Sequence, residues 1–240
     1  MKKTIFLIIL GVVTVGCIIY GTVYHIGGGF RNLSRGSGLS FHFDYDTDEE
    51  INDEHNLNQK LEAFSRIKID TSILDIRIQE GEDFYISSSW NREWLRPEFS
   101  VDNGELVVYQ HSGKKNKAGS NTCRVTISVP AATKLERLKI DSNVGEIKIR
   151  NIDAEDISID TNVGEISLRD VSFDNVTIDS NVGEVNLETG ASLKEYAISL
   201  STDVGDVHYD GNRYKHSYNQ SGNSNKSIKI DTNVGEINVK

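Results

Sequence analysis

Five segments of this 240-residue chain are near-copies of one another. They read LKIDSNVGEIKI (138–149), ISIDTNVGEISL (157–168), VTIDSNVGEVNL (176–187), ISLSTDVGDVHY (198–209) and IKIDTNVGEINV (228–239). Their glycines are Gly145, Gly164, Gly183, Gly205 and Gly235, at spacings of 19, 19, 22 and 30 residues. A short unit repeated this closely cannot bury its apolar face alone, so the copies must pack on one another.

Within each copy, apolar and polar residues alternate on both sides of an Asn-Val-Gly triplet. Leu138 and Ile140 point one way, Lys139 and Asp141 the other; Ile147 and Ile149 repeat the pattern after the triplet. Period-2 alternation predicts two half-buried strands per copy, and Asn with Gly between them is turn chemistry. Further turns fall at 150–155, 169–174 and 188–192. Consecutive antiparallel hairpins and a β-solenoid both fit this pattern. The fixed short period favours the solenoid, in which ~19-residue coils stack at ~4.8 Å and like residues meet like. Stacking predicts an interior ladder of Ile140, Ile159, Ile178, Leu200 and Ile230, and a second interior ladder of Val144, Val163, Val182, Val204 and Val234. It also predicts an amide ladder of Asn143, Asn162, Asn181 and Asn233.

The outward positions would carry two acidic rows. One contains Asp141, Asp160, Asp179 and Asp231; the other contains Glu146, Glu165, Glu184, Asp206 and Glu236. Carboxylates ~4.8 Å apart repel by about 1 kcal/mol per pair even in water. Lys139, Lys148, Arg150, Arg169 and Lys229 share these faces and could relieve the repulsion. A divalent cation such as Ca2+ could do so too, because hard cations seek clustered carboxylates, which makes Asp141, Asp160, Asp179, Glu146, Glu165 and Glu184 the candidate metal ligands.

Ahead of the repeats, RIKIDTSILDIRI (66–78) reads as a decayed copy. Strands are also expected at 83–89, 98–102, 105–110 and 123–129, with a tight hairpin at Asn103-Gly104 and an exposed loop at 114–121. Tyr85, Trp90, Trp94 and Phe99 are expected to pack in the core or in a cap over the stack. Between the last two copies lies YDGNRYKHSYNQSGNSNK (209–226). Tyr209, Arg213, Tyr214, His216 and Tyr218 mix aromatic, cationic and amide groups, the composition of a partner-binding loop. The same segment could instead be a surface loop or a flap over a solenoid edge. A chain that stops at Lys240, directly after its last strand, is expected to leave that final coil with an unpaired edge.

Residues 4–24 carry no charge and make a helix of ~31 Å, long enough to span a bilayer. Lys2 and Lys3 before it and Tyr20 and Tyr24 near its far end predict a single span with the N-terminus in the cytoplasm and the rest of the chain outside. Gly16-Cys17 is a poor lipid-attachment context within an apolar run that continues, so an uncleaved anchor is expected. The expected organisation is a cytoplasmic tail (1–3), a transmembrane helix (4–26), a Gly/Ser-rich then acidic linker (27–60), an N-terminal β region or cap (61–130) and the repeats (131–240). Asp44, Asp46 and Asp48 imitate the start of an EF-hand loop, but Glu49 and His55 occupy positions that need Gly and Glu.

With 26 Lys plus Arg against 36 Asp plus Glu, the net charge is −10, which argues against nucleic-acid binding. The two cysteines, Cys17 and Cys123, cannot form a disulfide framework. The six histidines lack metal-ligand spacing, and no nucleophile elbow or phosphate-binding loop sits in a strand–helix context. No catalytic residue and no cofactor is expected.

Val125-Thr-Ile-Ser-Val-Pro130 followed by Leu138-Lys-Ile-Asp and the repeated VGE units resembles the bacterial putative-adhesin family, β-strand-repeat domains of unknown function. The resemblance covers about residues 61–240. With its single N-terminal span, the chain is similar to a membrane-anchored member of that family from a cell-envelope-stress operon of Gram-positive bacteria. The resemblance implies an all-β, single-stranded β-solenoid on the outer face of the cytoplasmic membrane, with no catalytic residues. The expected function is a non-enzymatic, adhesin-like interaction module that meets an envelope protein or wall polymer. The alternative is a divalent-cation-dependent binding module for a wall polymer or glycan.

Overall fold

The computed structural model describes residues 55–110 and 121–240. The anchor expected at 4–26 and most of the expected linker lie outside the described residues, as does nearly all of the loop expected at 114–121. Among the described residues no helix is long and apolar enough to cross a membrane. The strands in chain order are β1 (His55–Lys60), β2 (Arg66–Ile73), β3 (Asp75–Gly81), β4 (Tyr85–Trp90), β5 (Glu98–Asp102), β6 (Glu105–Tyr109), β7 (Cys123–Pro130), β8 (Lys134–Val144) and β9 (Ile147–Arg150). They continue with β10 (Asp153–Val163), β11 (Ile166–Arg169), β12 (Ser172–Val182), β13 (Val185–Glu188), β14 (Tyr196–Tyr209), β15 (Asn212–Gln220), β16 (Lys226–Val234) and β17 (Ile237–Val239). The strand of residues 55–60 replaces the end of the expected linker, because it finds an antiparallel partner in β4.

The repeats stack as parallel coils. β8, β10 and β12 pair in register, Ile140 beside Ile159 beside Ile178, and β9, β11 and β13 do the same, Ile147 beside Ile166 beside Val185. The decayed copy joins them as a full coil: β2 pairs with β8, placing Ile69 beside Ile140, and β3 pairs with β9. In each coil the two apolar positions before the triplet and the two after it point inward and are fully buried. Each such side chain contributes about 1.5–3 kcal/mol by leaving water, so the ladder of aliphatics, rather than any one contact, holds the stack. The Ser/Thr position of the repeat also faces inward. Thr71, Ser142, Thr161, Ser180, Thr232 and Thr202 form a buried hydroxyl row beside the apolar ones.

The order of coils in space is not their order in sequence. β16 pairs with β12 on one side and with β14 on the other, and β17 likewise lies between β13 and β14. The last repeat is therefore inserted between the third and fourth, and the fourth ends the stack. The 30-residue glycine interval is the path of this detour. After β14 the chain reverses at Asp210-Gly211, both with positive φ, and runs back antiparallel as β15 before entering the slot as β16. The expected unpaired edge on the final coil is corrected by this arrangement, since β16 and β17 have partners on both sides. The repeats themselves supply the reason. The inserted copy carries the consensus Asp231-Thr-Asn233, whereas the fourth copy has Ser201-Thr-Asp203. Asn233 can extend an amide ladder from Asn181; the carboxylate of Asp203 has no N–H to donate.

Glycine is required where the coils turn. A Cβ on Gly164 would lie 1.9 Å from the carbonyl oxygen of Gly145, and one on Gly183 would lie 1.7 Å from that of Gly164. The backbones approach so closely because Gly145, Gly164, Gly183 and Gly235 each donate their N–H to the valine carbonyl of the next coil, as in Gly164 to Val182 at 3.0 Å.

At both ends of the stack the outermost strands pair antiparallel. At one end β6 lies on β2, and β5 folds back on β6 through Asn103-Gly104, whose φ values of 49° and 72° fit the expected tight turn. On the adjoining ladder β7 lies on β3, then β4 and β1 follow. Trp90 is buried there, and Trp94 and Phe99 pack partly buried against the core. At the other end β15 covers β14.

Candidate interaction surface

The segment expected to be a binding loop is the strand β15. Tyr209 faces the core, stacks on Tyr218 with ring centroids 4.2 Å apart, and donates its hydroxyl to Gln220 Oε1 at 3.0 Å. Tyr218 donates to the same oxygen at 3.0 Å, and Tyr214 tilts against Tyr218 at 4.7 Å. Gln220 completes the cluster by donating Nε2 to the carbonyl of Leu193 at 2.9 Å. Three of the five candidate residues thus close the end of the core. Arg213 and His216 remain exposed. Arg213 pairs with Asp206 across the hairpin and holds its carboxyl below the usual carboxylate range by a hydrogen bond. His216, at φ 65°, lies where the register shifts so that β15 can follow the corner in β14. The end strand is polar along its length, which blunts its free edge against strand addition.

The Asn-Val-Gly corner holds the main departure from the expected core. Val144, Val163, Val182, Val234 and Val204 do line up, in that spatial order, but on the outside, each 38–46% exposed. Ile73, half-buried, continues the row beside Val144. Strict alternation from the inward Ser142 places Asn143 out and Val144 in. A corner instead turns two successive side chains outward, and Asn143 and Val144 are both exposed. Ladder pairing skips the asparagine position at this bend.

The predicted amide ladder is present beside the valines. Asn162 donates Nδ2 to Asn143 Oδ1 at 2.7 Å, Asn181 to Asn162 at 2.5 Å, and Asn233 to Asn181 at 2.7 Å. These bonds lock the corner into one regular ridge.

Acidic rows flank the ridge. On one side Asp70, Asp141, Asp160, Asp179 and Asp231 stand in register on adjacent strands. Among the described residues none of these five makes an ion pair within 4 Å. On the other side, just past the glycines, stand Glu146, Glu165, Glu184, Glu236 and Asp206. Lys148 pairs with Glu146, and Asn238 donates to Glu184 at 3.0 Å. The six candidate metal ligands are thus split between two rows on opposite sides of the valine ridge. Among the described residues no group of three or more His, Cys, Asp or Glu is placed to hold a metal ion.

Together these features define a class: a β-solenoid of stacked parallel coils, capped by antiparallel strands, with a ridged outer surface. The chain belongs to the Toastrack DUF4097 family, whose profile matches residues 64–240. Among solved structures it is similar to a candidate cell adhesion protein from Clostridium sporogenes ATCC 15579, with 18% identity and a TM-score of 0.63 over 78% of this chain and 99% of that one. A candidate adhesin from Bacteroides fragilis NCTC 9343 also matches, with 14% identity and a TM-score of 0.39 over 80% of this chain and 99% of that one. No curated protein matches the chain.

Proposed function

We propose that this chain is a non-enzymatic, membrane-anchored protein that presents its solenoid outside the cytoplasmic membrane as an adhesin-like interaction module, acting in the response of the cell envelope to stress. The exposed valine ridge carries this reading. Five in-register valines held on the outside of a closed stack form an apolar stripe that folding leaves in water, and contiguous apolar stripes rimmed by polar residues mark contact sites. The similarity in fold to a candidate cell adhesion protein supports the same reading. The uncharged run at residues 4–24 supports the anchor.

The test is retention on isolated cell envelopes. A fragment of residues 51–240, which lacks the proposed anchor, is compared with its Val163→Thr/Val182→Thr variant, chosen because both side chains are half-exposed and Thr keeps their shape. Loss of retention with an unchanged melting temperature is the expected result. Equal retention would show that the ridge is not the contact, and release of soluble fragments from the envelopes would point to an enzyme instead.

A further inference from the structure

Two shallow recesses lie on the outer face of the ladder formed by β3, β9, β11, β13 and β17. The first, about 230 Å³, has matched charges. Arg169 pairs with Glu188 at 3.4 Å, and Lys240 pairs with the same carboxylate at 3.5 Å. The second, about 170 Å³, is lined by Arg77, Ile78, Gln79, Lys148 and Arg150. Here strand register sets Arg77 beside Lys148, Gln79 beside Arg150, and Arg150 beside Arg169. Like charges directly opposite on paired strands destabilise a sheet. Lys148 has Glu146 as a partner. Among the described residues Arg77 and Arg150 have no ion pair, and the buried Nε of Arg77 has no hydrogen-bond partner. In a chain of net charge −10, two arginines without an ion pair, set beside a lysine, leave donors free for an external anion.

We propose that this recess binds a phosphate group. Guanidinium forks match phosphate oxygens in pairs, and charge-assisted bonds of this kind are about twice as strong as neutral ones. Two arginines, a lysine and the amide of Gln79 supply more donors than the two coplanar oxygens of a carboxylate can accept, and suit the tetrahedral set of a phosphate. The site accounts for the like-charge crowding at β3 and β9 and is independent of what contacts the valine ridge. The phosphate could belong to a soluble phosphodiester polymer or to an anionic lipid headgroup.

The purified full chain is titrated with inorganic phosphate, with a soluble polyglycerol phosphate, and with short-chain phosphatidylglycerol or phosphatidylcholine below their micelle concentrations. Saturable binding of phosphate and polymer alone assigns a soluble source, and binding that extends to phosphatidylglycerol but not to phosphatidylcholine assigns a headgroup; either supports the site. Arg150→Gln, at an exposed position, should weaken binding about tenfold without lowering the melting temperature of the unliganded chain. Arg77→Gln/Arg150→Gln should abolish it, and Lys240→Gln in the matched recess should leave it within about twofold. Absence of binding to every probe, unchanged affinity in Arg150→Gln, or equal affinity for polyglutamate of the same charge would overturn the proposal.

Discussion

Asn233 donates its side-chain amide to Asn181, 52 residues earlier in the chain, at 2.7 Å. The bond passes over the whole fourth repeat, and with it the last coil enters the interior of the stack rather than its end. Four consequences of this architecture, and one of its buried thiol, are open to measurement.

The slot between the third and fourth repeats should accept its strands in trans. A chain ending at Gln220 keeps β14 and β15 but lacks β16 and β17, the parallel neighbours of β14, so it should melt at a lower temperature. A synthetic peptide of residues 226–240 should restore the melting point, and a scrambled peptide should not. If truncation leaves stability unaltered, the fourth repeat has closed onto the third, and insertion is not needed for the stack to hold.

Gly164→Ala should cost at least about 3 kcal/mol, since its methyl would overlap the carbonyl of Gly145 and two backbones would have to part. Gly190→Ala is the control, because a Cβ there meets nothing within 4 Å. It should stay within about 0.5 kcal/mol of the parent. Denaturant unfolding of the two variants reads the difference.

The aspartate row should make stability rise with salt. Asp160 has a like charge on each side, so Asp160→Asn should stabilise the fold by about 1 kcal/mol at low ionic strength and by less at 0.5 M NaCl. Calcium at matched ionic strength should add nothing beyond this screening. A larger calcium effect that Asp160→Asn removes would instead favour cation-dependent binding.

Acid should loosen the end strand. Arg213 depresses the Asp206 carboxyl in the folded protein, so its contribution is complete above the ordinary carboxylate range and is lost as pH falls through the lower folded value. Amide exchange in β15, corrected for intrinsic rates, should therefore accelerate below that range. Asp206→Asn should show the faster exchange already at neutral pH.

Cys123 should be unreactive in the native protein. Burial, with Asp75 nearby, pushes its thiol up to about 12, and its Sγ lies 3.3 Å from the carbonyl of Leu95. At pH 8 a disulfide reagent should modify it only at the rate of opening or in denaturant. Immediate labelling of Cys123 in a native Cys17→Ser chain would show that the cap around Leu95 is open in solution.

The copies of IDTNVGEI carried most of the fold on their face. Alternation gave the inward isoleucines, equal spacing gave stacking in register, and the asparagines gave the amide ladder, because in a parallel stack each residue's neighbour is its own equivalent. Even the insertion leaves a trace in hindsight: Asp203 stands where the other copies have asparagine. The corner and the end were harder to read. Val144 and Tyr214 look alike in a list of apolar side chains, yet one is displayed and the other closes the core.

The sequence by itself determined that like residues would stack on like, since identical short units satisfy their backbone bonds and bury their aliphatics only against one another. Tertiary structure decided which copy lies beside which, and that the valines face water. Both depend on how the backbone bends at each corner and on where β15 returns the chain, and no local alternation of apolar and polar residues encodes those distances.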